Sequence, residues 1–200
     1  PAPARRTALL DAKQRVDAAM TQYTRDATGA ISALQSLDRE FTPHPLVRHA
    51  LAICLHRSGD ATRALETARS AVPFCMERGH TLLAIQLLKE LKLKVDQLEL
   101  EREQLLTIGG ALEQTEDWAA AAKAYSAVLR VDANETRAVK GMLQVAEGIL
   151  AHKNNAEAAA RIYRFLVKNS PQSPLMDCIR QGLAETERRL GEVTEPVAAR

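Results

Sequence analysis

Aromatic residues make up only 4% of this 200-residue chain, with Trp118 the one tryptophan. Runs of β-branched and aromatic residues, which strands need, are equally scarce. Together these two shortages argue against a barrel or a sandwich. An excess of one charge is lacking too: 27 Lys+Arg stand against 25 Asp+Glu, for a formal net charge of +2, with the signs interspersed. Nucleic-acid binders show a basic excess or stripe, and neither is evident here. No apolar run approaches the ~18 residues of a membrane span, and no signal-peptide apolar region opens the chain. The three cysteines, Cys54, Cys75 and Cys178, lie far apart without a CxxC pair. An odd count without metal spacing reads as reduced, buried thiols in a cytosolic protein. The five histidines (His44, His49, His56, His80, His152) form neither HExxH nor HxxxH. His49 and His56 share a helix face but stand too far apart to ligate together, so no metal is expected. P-loop, GxSxG and GxGxxG motifs are absent, and no cofactor and no enzyme activity are expected.

What is present is helix-forming: 34 Ala and 26 Leu, within 46% hydrophobic and 26% charged residues, suit an all-α globular chain of one domain or at most two small ones. Two segments align without gaps, EDWAAAAKAYSAVLRVDAN (116–134) and NNAEAAARIYRFLVKNSPQ (154–172). Ala121 falls over Ala159, Tyr125 over Tyr163, Leu129 over Val167 and Ala133 over Pro171. A third segment, GDATRALETARSAV (59–72), places Ala64 and Ala68 in the pattern, and a fainter fourth (26–37) places Ala30 and Leu34 there. Each clear segment follows a stretch with one apolar stripe at i, i+3, i+4 and i+7: Leu51, Ala52 and Leu55; Leu105, Ile108, Gly109 and Leu112; Leu143, Ala146 and Leu150. Recurrent helix–turn–helix units follow.

These residues resemble the tetratricopeptide repeat. Unit 102–135 fits with Leu105, Ile108, Gly109, Leu112, Ala121, Tyr125 and Leu129; unit 140–173 with Leu143, Ala146, Leu150, Ala159, Tyr163, Leu166 and Pro171; unit 45–78 with Leu51, Ala52, Leu55, Gly59, Ala64, Ala68 and Ala71. Glu147 departs from the small-residue position, and most consensus prolines are missing. The resemblance implies an all-α solenoid of three to four hairpins, since one hairpin cannot bury its own apolar face. The expected layout is a linker over 1–6, one repeat domain over 7–190, and a tail over 191–200. Inside the domain lie units 11–44, 45–78, 102–135 and 140–173, an irregular helix over 79–101 that Thr81 caps, and a capping helix over 174–190. A second helix from near Asp96, or one long helix into 102–115, is expected within the irregular stretch. The chain begins at Pro1 with PAPARR, which reads as the linker of a fragment cut from a larger protein, and the high Ala and Arg content suggests a bacterial one. That leaves a cytoplasmic location, or a cytoplasm-facing part of a membrane-anchored protein, as the expectation.

In this family the first helices line a concave groove. The resemblance therefore implies a partner site at Leu46, His49, Ile53 and His56, then Glu103, Leu106, Gly110 and Glu113, then Gln144, Gly148 and His152. An apolar floor with a polar rim would suit a peptide with apolar anchors. Relatives that clamp a C-terminal carboxylate carry Lys and Asn at fixed positions. The matching positions here hold His49 and Ile53, Leu106 and Gly110, Gln144 and Gly148, which excludes that clamp. Gly109-Gly110 reads as close helix packing, and Glu185 and Glu187 as a solvated face. The expected function is a non-catalytic protein-interaction scaffold with no membrane contact. The alternatives are a homodimer through the groove or 79–101, and an RNA binder using Arg137, Lys140, Lys153, Arg161, Arg164 and Lys168 beside Tyr163. Small net charge and few stacking residues weigh against RNA.

Overall fold

The computed structural model describes residues 3–41 and 44–194, and among them every regular element is helical. Packing divides the chain into two compact units, Pro1–Leu100 and Glu101–Arg200. The first holds α1 (Pro3–Gln22), α2 (Ala27–Glu40), α3 (Pro45–Arg57), α4 (Ala61–Glu77) and α5 (Thr81–Glu90), then a 3₁₀ turn over Val95–Gln97. The second holds α6 (Arg102–Gln114), α7 (Trp118–Val131), α8 (Thr136–Lys153), α9 (Ala156–Asn169) and α10 (Met176–Thr194). Four hairpins result: α1/α2, α3/α4, α6/α7 and α8/α9. Each hairpin's second helix packs on the next helix in its unit, α2 on α3, α4 on α5, α7 on α8 and α9 on α10, while first helices meet as α1·α3, α3·α5 and α6·α8.

The hairpin turns are written in short polar residues. All four second helices begin with an Asx cap: Asp26 accepts from Gly29 N–H, Asp60 from Arg63, Asp117 from Ala120 and Asn155 from Ala158. Each such cap contributes about 1 kcal/mol. The α3/α4 turn needs a left-handed residue, and Gly59 supplies it with φ 88°. Glu116 takes the same role between α6 and α7 with φ 56°, a conformation that costs a side-chain-bearing residue about 1 kcal/mol or more.

Small residues then let the helices approach. Ala30, Ala64, Ala68, Ala121 and Ala159 are at most 1% exposed. Around them Leu34, Leu37, Val47, Leu55, Val72 and Leu87 fill the first unit, and Ile108, Leu112, Val128, Val139, Leu166 and Ile179 the second. Burying each of the large aliphatics stabilises by about 2 kcal/mol. In the second unit aromatic rings of the second helices lie on glycines of the first helices. Tyr125 faces both Gly109 and Gly141, Trp118 covers Gly148, and Tyr163 covers Gly182 of α10.

Five expectations need correction. Pro3–Arg6, read as linker, open α1, because proline at a helix start lacks only an N–H that would be orphaned anyway. Likewise α10 continues through Gly191 to Thr194, into the expected tail; positions 1–2 and 195–200 lie outside the described residues. Thr81 is the first residue of α5 rather than its cap, which is His80 without a side-chain bond. The stretch 91–101 is neither a second helix nor part of a long one: left-handed Lys92 and Glu99 end the helical path, and the 3₁₀ turn between them buries Leu91, Val95 and Leu98. Of the cysteines, Cys54 and Cys75 are buried as expected, whereas Cys178 on α10 is exposed at the rim of a cavity that it lines with Glu147 and Tyr163.

Candidate partner-binding grooves

In the first unit α3 begins at Pro45 and α5 at Thr81, and neither N-cap residue, His44 or His80, bonds its helix through its side chain. The first-turn N–H groups therefore lack the side-chain acceptors that the second helices possess. A cavity of about 460 Å³ opens at these two helix starts, lined by His44, Pro45 and Leu46, by His80 and Leu83, and by Leu10 and Lys13 of α1. Burial, and secondly the charge of His80, hold His44 below the ordinary histidine value, and its shielded Nδ1 has no partner. A turn further along the same two helices, a second cavity of about 580 Å³ is lined by His49, Gln86, Lys89 and Glu90. Burial also lowers His49, opposed by the charge of Glu90, and its Nε2 is likewise shielded and unpartnered. Glu90 also makes a 3.4 Å ion pair with Arg57 at the end of α3.

The second unit presents the faces of α6, α8 and α10. Arg137 at the start of α8 grips Glu103 at the start of α6 through two hydrogen bonds of 2.9 and 2.6 Å, and also bonds Glu135. These exposed pairs hold register more than they stabilise. Glu113 is half-buried beside the Tyr125 hydroxyl; burial raises its pKa while that hydroxyl lowers it, and its Oε1 is left without a partner. Burial and Glu113 together push Tyr125 far up. His152 stacks on Trp118 at 5.8 Å, and the shielded Trp118 Nε1–H has no acceptor. Between α8 and α10 lies a third cavity of about 350 Å³, with Tyr163 and Gly182 below and Glu147, Glu185 and Cys178 around it. Arg188 and Arg189 hold Glu185 at about 2.

The eleven sequence-chosen positions thus fare differently. Leu46 lines the first cavity and His49 the second, whereas His56 is half-buried outside both. Ile53 is only 5% exposed and belongs to the core. In the second unit Glu103 is held by Arg137, Leu106 is half-buried, Gln144 is exposed, Gly148 lies under Trp118 and His152 against it, while Gly110 and Glu113 flank the Tyr125 hydroxyl. None of these seven lines the third cavity. Of the six basic residues considered for RNA, Arg137 is paired to Glu103 and Glu135, and Arg164 to Glu187, so the cluster is not an unbroken basic face.

Sequence reasoning missed the α5 side of the first groove. A signal was present: His44 and His80 are 36 positions apart, and Leu46 and Leu83, like His49 and Gln86, are 37 apart. That is the spacing of the repeat, and it marks α5 as a first helix even though no second helix follows. Among the described residues no cluster of three His, Cys, Asp or Glu could hold a metal, and no helix is long and apolar enough to cross a membrane.

These features define the class: an all-α chain of successive helical hairpins, two in each unit, with a C-terminal helix closing the second unit. No protein-family model and no curated protein matches the chain. Among solved structures it is similar to a tetratricopeptide repeat protein from Parabacteroides merdae, at 17% identity over 90% of this chain and 73% of that one, with a TM-score of 0.31.

Proposed function

We propose that the chain is a non-catalytic protein-interaction scaffold, part of a larger bacterial protein, that holds a partner's segment along its first-helix faces. The observation that carries this reading is the α3/α5 groove, where two cavities of about 460 and 580 Å³ follow one another along the same pair of helices. Volumes of this size accept side chains of a peptide rather than ordered water alone. Three cysteines outside any disulfide fit a reducing, cytoplasmic setting.

Site-specific photo-crosslinking in bacterial cells tests it. A benzophenone side chain at Gln86, in the groove, is expected to give an adduct of protein mass. The same group at Arg63, exposed on α4, is expected to give none. Equal labelling from both positions, or none from Gln86, refutes the groove.

A further inference from the structure

The first of the two α3/α5 cavities has a charge character its neighbours lack. Its walls are aliphatic, from Leu10, Leu46 and Leu83, with Leu10 55% exposed at the rim. Every charged or titratable side chain lining it is basic: Lys13, His44 and His80. Lys13 enters no ion pair among the described residues. Of the acids on α1, Asp11 is engaged with Arg15 at 3.5 Å, and Asp17, a turn beyond Lys13, does not line the cavity. Helices α3 and α5, 13 and 10 residues long, both aim their starts here without side-chain caps, adding the positive ends of two helix dipoles. The second cavity instead contains Glu90, and the third is acidic, with Glu147 and Glu185. An apolar hole with Lys13 in its wall and two helix N-termini aimed at it, lined by no Phe, Tyr or Trp, suits a negatively charged apolar segment.

Resting on the interaction reading above, we infer that this cavity docks a segment of a partner protein in which a large aliphatic side chain stands beside an acidic one. The aliphatic group enters between Leu46 and Leu83, and the side-chain carboxylate faces Lys13 and the two histidines. The apolar contact supplies the affinity and the charge supplies the choice of partner.

Selection of short random peptides displayed on phage, against the immobilised full chain, tests this. Enriched sequences are then synthesised with a fluorophore and an amidated C-terminus, so that only side-chain carboxylates remain. The expected sequences pair Leu, Ile or Met with Asp or Glu. Lys13→Glu is expected to weaken them about fivefold to tenfold, the range for reversing one exposed charge. Replacing the peptide's Glu by Gln should weaken binding to the wild-type chain by less than Lys13→Glu does, and should recover part of the loss in Lys13→Glu, where it removes a like-charge repulsion. Leu83→Asp should abolish binding. Peptides that lose binding on Leu83→Asp yet ignore Lys13→Glu keep the groove and overturn the acidic partner. Peptides that bind Leu83→Asp as well as the wild type, or an absence of any enrichment, overturn both readings. A mass in solution near twice 21.9 kDa that Leu83→Asp returns to 21.9 kDa gives the cavity to a second copy and also overturns the inference. Lys13 is exposed, so Lys13→Glu reads the charge even if Leu83→Asp loses helicity.

Discussion

Replacing Gly141 by Ala reverses the usual sign of a helix substitution. Within a helix, glycine to alanine gains about 1 kcal/mol, from reduced backbone entropy in the unfolded chain and better propensity. Gly141 lies inside α8, so propensity alone predicts a more stable protein. The added methyl, however, would stand against Cζ of Tyr125, 2.5 Å from Cε2 and 2.7 Å from Cε1. The ring must retreat by about 1 Å to reach ordinary van der Waals separation. It cannot do so freely: on its other side a methyl at Gly109 would meet the same ring at 2.8 Å, and the hydroxyl faces Glu113. Overpacking of this kind costs about 1–3 kcal/mol, and the two-sided confinement of the ring puts this site at the upper end. Net destabilisation of about 1–2 kcal/mol follows once the propensity gain is subtracted. Urea unfolding followed by far-ultraviolet circular dichroism measures it. Gly191→Ala on α10 is the control, since nothing lies within 4 Å of the added carbon, and it is expected to be neutral or stabilising. In a Tyr125→Leu background the ring is gone, and Gly141→Ala should then stabilise, giving a coupling of about 2–3 kcal/mol between the two sites. A stabilising Gly141→Ala in the wild-type background, or a coupling near zero, refutes the seating of Tyr125 between α6 and α8.

Native-state thiol labelling should find one fast-reacting cysteine, Cys178, and denaturant should reveal Cys54 and Cys75, the latter pushed up to about 11 by burial; two fast thiols in the native chain would show that one of the buried pair is open. Because burial is the largest influence on Glu113 and raises its pKa above 4.5, the folded chain holds that proton more tightly than the unfolded one, so this group's contribution to stability falls as pH rises through the carboxylate range. Glu113→Gln is therefore expected to be more stable than wild type at neutral pH, with the advantage fading in urea titrations run below 4.5, and a variant weaker than wild type at neutral pH would mean that the Tyr125 hydroxyl outweighs burial.

The parts of the fold that were legible are those where local and tertiary demands coincide. Alanines at the repeat positions, Ala64, Ala68, Ala121 and Ala159, are small because helices meet there, and each is buried. Tyr125 and Tyr163 recur because each fills a gap between helices. The stretch 91–101 was not legible for a physical reason. Leu91, Val95 and Leu98 have i, i+4, i+7 spacing, which fits a helix, yet the same three side chains are buried by a 3₁₀ turn between two left-handed residues. Neither Lys92 nor Glu99 is a glycine or proline that would announce a break. Glycine misled in the opposite direction. Gly148 looked like open floor because it has no side chain, but whether a glycine is open depends on what crosses it, and Trp118 of α7 does.

The site follows the same logic one level up. A repeat signature records where helices touch, so it is informative about the residues that face one another and silent about those that face outward. Leu46 and His49 were found because their helix carries the signature, whereas Leu83 and Gln86 were missed because α5 has no second helix to carry its half. What gives the first cavity its chemistry is further still from any motif: two uncapped helix starts that the packing of α3 on α5 brings to one place, and a lysine from α1. No single segment encodes that positive charge, and a net charge of +2 over the whole chain conceals it. On the proposed reading, specificity resides in the positions the repeat leaves free, so exchanging Lys13 or His80 should redirect binding without disturbing the interlock that Gly141 and Tyr125 maintain.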